Sequence, residues 1–186
     1  MKSLLTRPRA FMAIAMLGLF AASAGAATID FEDYPSDTVI TNQYLSLGVL
    51  FSGAAGDPPP RIYDYVGGYG RVFRSHDWFA PMVISFVDPG NPNNYSPVSY
   101  IAFDNPVDSE VDYIAVNVYD QNDGLVYQYL STSPEYVVIN LGSAIAAYMV
   151  LDDAQNTAYI IDDLTFEGGV TAIEAGTWSD IKSLFR

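Results

Sequence analysis

Short runs in which apolar and polar residues alternate, each cut off by Gly, Pro, Asn or Asp, recur along the chain from about residue 28 to residue 166. A period of two sends successive side chains to opposite faces of a strand, so segments written this way bury one face each and build sheets. The runs predict strands near 28–33, 47–52, 61–66, 70–74, 82–87, 98–104, 111–119, 125–131, 136–140, 145–151 and 158–166. Between them stand the breakers "AAGDPPP" at 54–60, "VGGYG" at 66–70, "DPGNPNN" at 88–94, "DNP" at 104–106 and "DQNDG" at 120–124. The "NDG" between "AVNVYD" and "LVYQYL" reads as a hairpin turn, with Gly124 free to take positive φ. Within 111–119, Asp112, Ile114, Val116 and Val118 share a face, and that face is core. Some ten short strands with turns between them imply an all-β fold, a two-sheet antiparallel β-sandwich.

The ends of the chain differ from its body. Met1 to Ala26 has a basic start (Lys2, Arg7, Arg9), an apolar run from Phe11 to Ala22, and small residues at Ala24 and Ala26. That order predicts a secretory signal cleaved after Ala26, because the run is shorter than the roughly 20 residues a membrane span needs. A sandwich domain at 27–168 follows, then a linker and a short C-terminal helix at 169–186. In that last segment Thr177 and Asp180 fit a capping box, and Trp178, Ile181 and Phe185 would share one helical face.

Charge removes whole classes of function. Three of the eight Lys and Arg lie in the leader, leaving five against 22 acidic residues, a difference of −17. Such a surface repels nucleic acid and anionic membranes, and it supplies carboxylates for divalent cations. Cysteine is absent, so no disulfide staples the domain. One histidine and no cysteine exclude Cys-His catalysis, and Ser75 beside His76 in "RSHDWF" is poorly placed for a triad.

Two acidic stretches bracket the domain: "IDFED" at 29–33 and "IDDLTF" at 161–166. In the first, alternation turns Ile29 and Phe31 inward and Asp30 and Glu32 outward. In the second, the paired acids break the alternation, so one of Asp162 and Asp163 must lie against apolar neighbours, a costly position unless paired or bound to a cation. A third stretch, "RIYDYVGGYGRVFRSHDWF" at 61–79, gathers aromatic rings with three of the five remaining basic residues. Arg61, Tyr65, Tyr69, Arg74, His76, Asp77 and Trp78 are candidates for sugar recognition there, since flat rings stack on sugar CH groups while Arg and Asp bond hydroxyls. Core packing or cross-strand pairing is the alternative for those rings.

"TIDFEDYPSDTVITNQYLSLGVLFSG" at 28–53, "FDNPVDSEVDYIAVNVYD" at 103–120 and "AYIIDDLTF" at 158–166 resemble a group of secreted bacterial β-sandwich proteins of the PEP-CTERM-associated type. The PEP-CTERM tail itself is missing, and "TWSDIKSLFR" stands in its place. The group is similar in architecture to galactose-binding, jelly-roll carbohydrate-binding modules. The resemblance implies first and last strands running antiparallel at a sheet edge with Ca²⁺ held between them, by Glu32 and Asp162 and next by Asp163 and Asp33; solvated edge carboxylates are the alternative. The function expected is a secreted, non-catalytic binding module, stabilised by calcium and binding glycan. A structural matrix or surface protein without a small ligand, and a glycan-active hydrolase, are the alternatives.

Overall fold

The computed structural model describes residues 25–65, 70–106, 114–131, 133, 135–153 and 159–168. The expected signal segment up to residue 24, Tyr69, Val111 to Tyr113 and the expected C-terminal helix lie outside the described residues. The strands are β1 (Ala27–Ile29), β2 (Val49–Gly53), β3 (Arg61–Tyr65), β4 (Gly70–Arg74), β5 (Met82–Asp88), β6 (Asn91–Tyr95), β7 (Val98–Asn105), β8 (Ile114–Tyr119), β9 (Leu125–Leu130), β10 (Glu135–Asn140), β11 (Tyr148–Asp153) and β12 (Ile160–Gly168).

They form two antiparallel sheets. The first runs β10-β7-β12-β4-β3, with β1 also on β12; the second runs β2-β5-β11-β8-β9, with β6 on β5. The inward side chains of both make one apolar cluster. Phe31 stacks on Phe73 at 4.9 Å, Phe51 meets Phe73 at 4.7 Å, and Phe86 of the second sheet meets Phe166 of the first at 5.4 Å. Ile114, Val116 and Val118 are fully enclosed, as their alternation requires.

Three features depart from the sequence reading. The segment "DPGNPNN" contains the start of β6, whose five residues are all exposed and which pairs with β5 through Val87–Tyr95 and Asp88–Asn91. It is held by backbone bonds to β5 and by the Tyr95 ring stacked on Tyr148, so no apolar alternation announces it. At the β8–β9 hairpin, Asp123 takes the positive φ (63°), not Gly124. Gly124 is needed there for space instead: Asp120 Oδ1 accepts the N–H of Asn122 at 2.8 Å and of Gly124 at 2.9 Å, and a Cβ on Gly124 would stand 3.0 Å from Asp120 Oδ2. The first and last strands are antiparallel neighbours through Ala27–Phe166, Thr28–Thr165 and Ile29–Leu164, but β12 lies inside its sheet, with β7 on its other side.

That interior position has a cause. One edge of β12 is shared: β4 takes Ile160 and Ile161, β1 takes Leu164 to Phe166, and the two part at Asp162–Asp163. Two residues beyond the end of β1, Phe31 takes φ 56° and turns the chain. Glu32 then closes the seam, because its Oε1 accepts the Arg71 N–H at 2.7 Å and its carbonyl accepts Arg71 Nη1–H at 2.8 Å.

Candidate functional site

The outer face of the first sheet collects most of the residues singled out in the sequence. Ile62, Phe73, Ile161 and Phe103 point into the core. Strand alternation therefore turns Arg61, Tyr63, Arg74, Asp162 and Asp104 to the other side. Across the strands, Arg61 stands opposite Arg74 and Arg74 opposite Ile160, while Asp162 stands opposite Asp104 and Asp104 opposite Tyr136. The face thus has a cationic, aromatic half on β3 and β4 and an acidic half on β12 and β7.

Arg74 organises the first half. It is buried, its guanidinium carbon lying 4.2 Å from the centre of the Trp78 ring and 5.1 Å from that of Tyr63, and the two rings meet edge to face at 4.8 Å. A desolvated cation over two aromatic faces is held by their quadrupoles, each contact worth about 1–2 kcal/mol. Arg74 Nη1 also donates to the carbonyls of Ser75 and His76, both at 3.0 Å, which fastens the following turn to the strand. Within that turn Asp77 Oδ1 accepts the N–H of Phe79 at 3.1 Å and of Ala80 at 2.6 Å, and these bonds hold its carboxyl below the usual range. The Tyr159 hydroxyl donates to the Ala80 carbonyl at 2.7 Å.

These anchors force Trp78 to φ 77°, a conformation a bulky side chain adopts only at a cost of about 1–3 kcal/mol and only where its surroundings over-determine it. The result is a half-buried indole projecting beside Phe79, which is 47% exposed. Arg61 Nη2 donates to His76 Nδ1 at 2.7 Å, which assigns His76 the tautomer with its proton on Nε2. Burial, and then the neighbouring Arg61, lower the Arg74 pKa, though a guanidinium stays charged at neutral pH.

Of the seven candidates for sugar recognition, Arg61, Arg74, His76, Asp77 and Trp78 come together here. Tyr65 is half-buried at the end of β3, opposite Gly70. Tyr63, one of the rings of the same stretch, belongs with them, because it lies two residues after Arg61 on the same strand face.

In the acidic half, Asp162 is buried and Asp163 exposed with φ 47°. The register explains both: from Asp162–Asp104 to Thr165–Ala102, β12 takes three steps against two on β7, a β-bulge that absorbs the second acid. Burial above all, then the charges of Asp163, Asp104 and Glu32, push the Asp162 carboxyl up to about 7, against the pull of the Asp163 N–H that it accepts at 2.9 Å. Burial and Asp163 also raise Asp104. Tyr136, 52% exposed, flanks the pair and shares a hydrogen bond with Tyr100. Asp104 was missed in the sequence because only register places it opposite Asp162.

Of the expected cation ligands, Asp162 and Asp163 lie in this half, and the charge of Glu32 reaches Asp162. Glu32 is committed to Arg71, and Asp33 is exposed, its charge helping to raise Tyr44. Among the described residues no group of three or more His, Cys, Asp or Glu side chains is arranged to hold a metal ion. None of their helices is long and apolar enough to cross a membrane.

No family model matches the chain, and no curated protein matches it. Solved structures of related shape include a variant of the family 29 carbohydrate-binding module CBM29-2, at 13% identity over 81% of this chain and 90% of that one, with a TM-score of 0.40. A second family 29 module matches at 15% identity over 81% and 93%, with a TM-score of 0.37. The enzymatically active domain of tailspike protein 4 from bacteriophage CBA120 matches at 12% identity over 69% of this chain and 20% of its own, also at 0.37. Likenesses at these TM-scores carry no argument about function, which rests instead on the geometry above.

Proposed function

We propose that this protein is a secreted, non-catalytic binding module that takes glycan on the outer face of the β10-β7-β12-β4-β3 sheet. The observation that carries the reading is Trp78, held at φ 77° by Asp77 and Arg74 so that its ring stands beside Tyr63 and the exposed Phe79. A strained, rigidly anchored, half-exposed aromatic group, with guanidinium and carboxylate groups beside it, is suited to stacking on sugar rings while bonding their hydroxyls. Affinity electrophoresis against soluble polysaccharides, with Trp78→Gly beside the parent, tests it. Gly accepts the same φ without strain, so the variant removes the ring and keeps the turn. Retarded migration of the parent and not of the variant supports the reading; equal migration overturns it.

A calcium ion at the acidic half is our second reading, favoured by two carboxylates directly opposite one another on β7 and β12 without a cationic partner among the described residues. Two carboxylates supply part of the six to eight oxygens that Ca²⁺ takes, with carbonyls and water for the rest. Thermal unfolding with calcium and then with excess chelator is the check. At 100 times the dissociation constant the ion adds about 2.7 kcal/mol, and an unchanged midpoint ends the reading.

A further inference from the structure

Arg61 and Arg74 are direct cross-strand partners, and like charges so placed repel. In a chain with 22 acidic residues, carboxylates to relieve them are abundant, yet Arg74 forms no ion pair among the described residues although it is 8% exposed. Among the described residues the one carboxylate in ion-pair range of Arg61 is Asp37 at 3.8 Å, and that aspartate's side chain is 75% exposed. The other nearby carboxylate, Asp77, is taken by the N–H groups of Phe79 and Ala80. The Nε atoms of both arginines are enclosed without a hydrogen-bond partner.

Resting on the glycan reading above, we infer that the paired guanidiniums of Arg61 and Arg74 beside Trp78 select a saccharide bearing an oxyanion, a carboxylate or a sulfate on the sugar ring. An arginine fork matches such a group through two parallel N–H bonds, and Lys or a hydroxyl cannot reproduce that geometry. Arg74, fixed by Tyr63, Trp78 and two carbonyls, supplies a preorganised positive field, and the more open Arg61 makes the contact. His76, accepting from Arg61 Nη2, sets the orientation of that guanidinium. The sugar ring lies on Trp78. Because the protein as a whole is strongly acidic, its overall field repels polyanions, so a preference for them reports the local pair.

Isothermal titration of the purified protein with polygalacturonate, its methyl ester, dextran sulfate and dextran tests the inference. One of the two charged polymers is expected to bind at least tenfold tighter than its neutral counterpart, and which one does distinguishes carboxylate from sulfate. Arg61→Gln is expected to bring the charged polymer down to the neutral level at an unchanged unfolding midpoint. If Arg61→Gln lowers the midpoint, Arg61→Lys, which keeps the charge and loses the fork, is expected to reduce the preference with the midpoint intact. Charged and neutral polymers binding equally would overturn the inference and leave the glycan reading standing; no binding to any polymer would overturn both.

Discussion

Replacing Asp162 by Asn should make this protein more stable at neutral pH. Its carboxyl is raised from 3.8 to about 7 in the folded chain, because it is buried on β12 opposite Asp104 and beside Asp163. A group whose folded pKa is raised holds its proton in the folded state while the unfolded state has released it. Between pH 3.8 and 7, folding stability therefore falls as pH rises, and its contribution is intact only on the acid side. At about 1.36 kcal/mol per unit, the shift corresponds to about 4 kcal/mol, which relaxation of the bulge would reduce to about 2–4 kcal/mol. Asn keeps an oxygen to accept the Asp163 N–H and cannot ionise. Urea unfolding in excess chelator at pH 4.5 and 7.5 reads the difference for the metal-free protein. With a slope of about 2 kcal/mol per molar, the variant midpoint should exceed the parent's by about 1–2 M at pH 7.5, and the gap should narrow to about 0.5 M at pH 4.5, which still lies above the unfolded pKa. The overall acidity of the chain affects both proteins alike, so the comparison isolates one carboxyl. Equal midpoints at pH 7.5, or a gap that does not narrow on acidification, would refute the reasoning.

Other expectations follow from the packing and from the seam. Phe31→Ala removes a fully enclosed ring that contacts Phe73, Tyr44 and Phe51, and it should cost about 3–5 kcal/mol in urea unfolding. Gly70→Ala should destabilise by more than the roughly 1 kcal/mol of an ordinary glycine substitution, since Gly70 has φ 80° and a Cβ there would run into the Glu32 carboxylate that caps Arg71; the loss of thermal midpoint is the readout.

How much of this was legible beforehand follows from what each feature depends on. Strands with one buried face, such as Ile114 to Tyr119, declare themselves by alternation, since their stability comes from the same side chains that form the pattern. β6 could not be seen, because five exposed residues leave no pattern and backbone pairing to β5 is a tertiary event. The paired acids announced a break in β12 and the burial of one of them. The bulge that accomplishes it depends on the register with β7, which local sequence does not encode. The cluster around Arg74 was legible as composition, since its members fall within nineteen residues of each other. Its geometry was not, because the positive φ at Trp78 depends on its neighbours His76 and Ala80 being fixed by bonds from Arg74, Asp77 and Tyr159 together.

The outer face of the first sheet is the centre of this account, and amide and indole chemical-shift mapping during a glycan titration tests it most directly. Signals of Tyr63, Arg74 and the Trp78 indole are predicted to move together and saturate, while those of Tyr119 and Tyr148, stacked at 4.9 Å on the opposite sheet, stay still. Shifts confined to Tyr119 and Tyr148, or none on either sheet with any glycan tried, would contradict it.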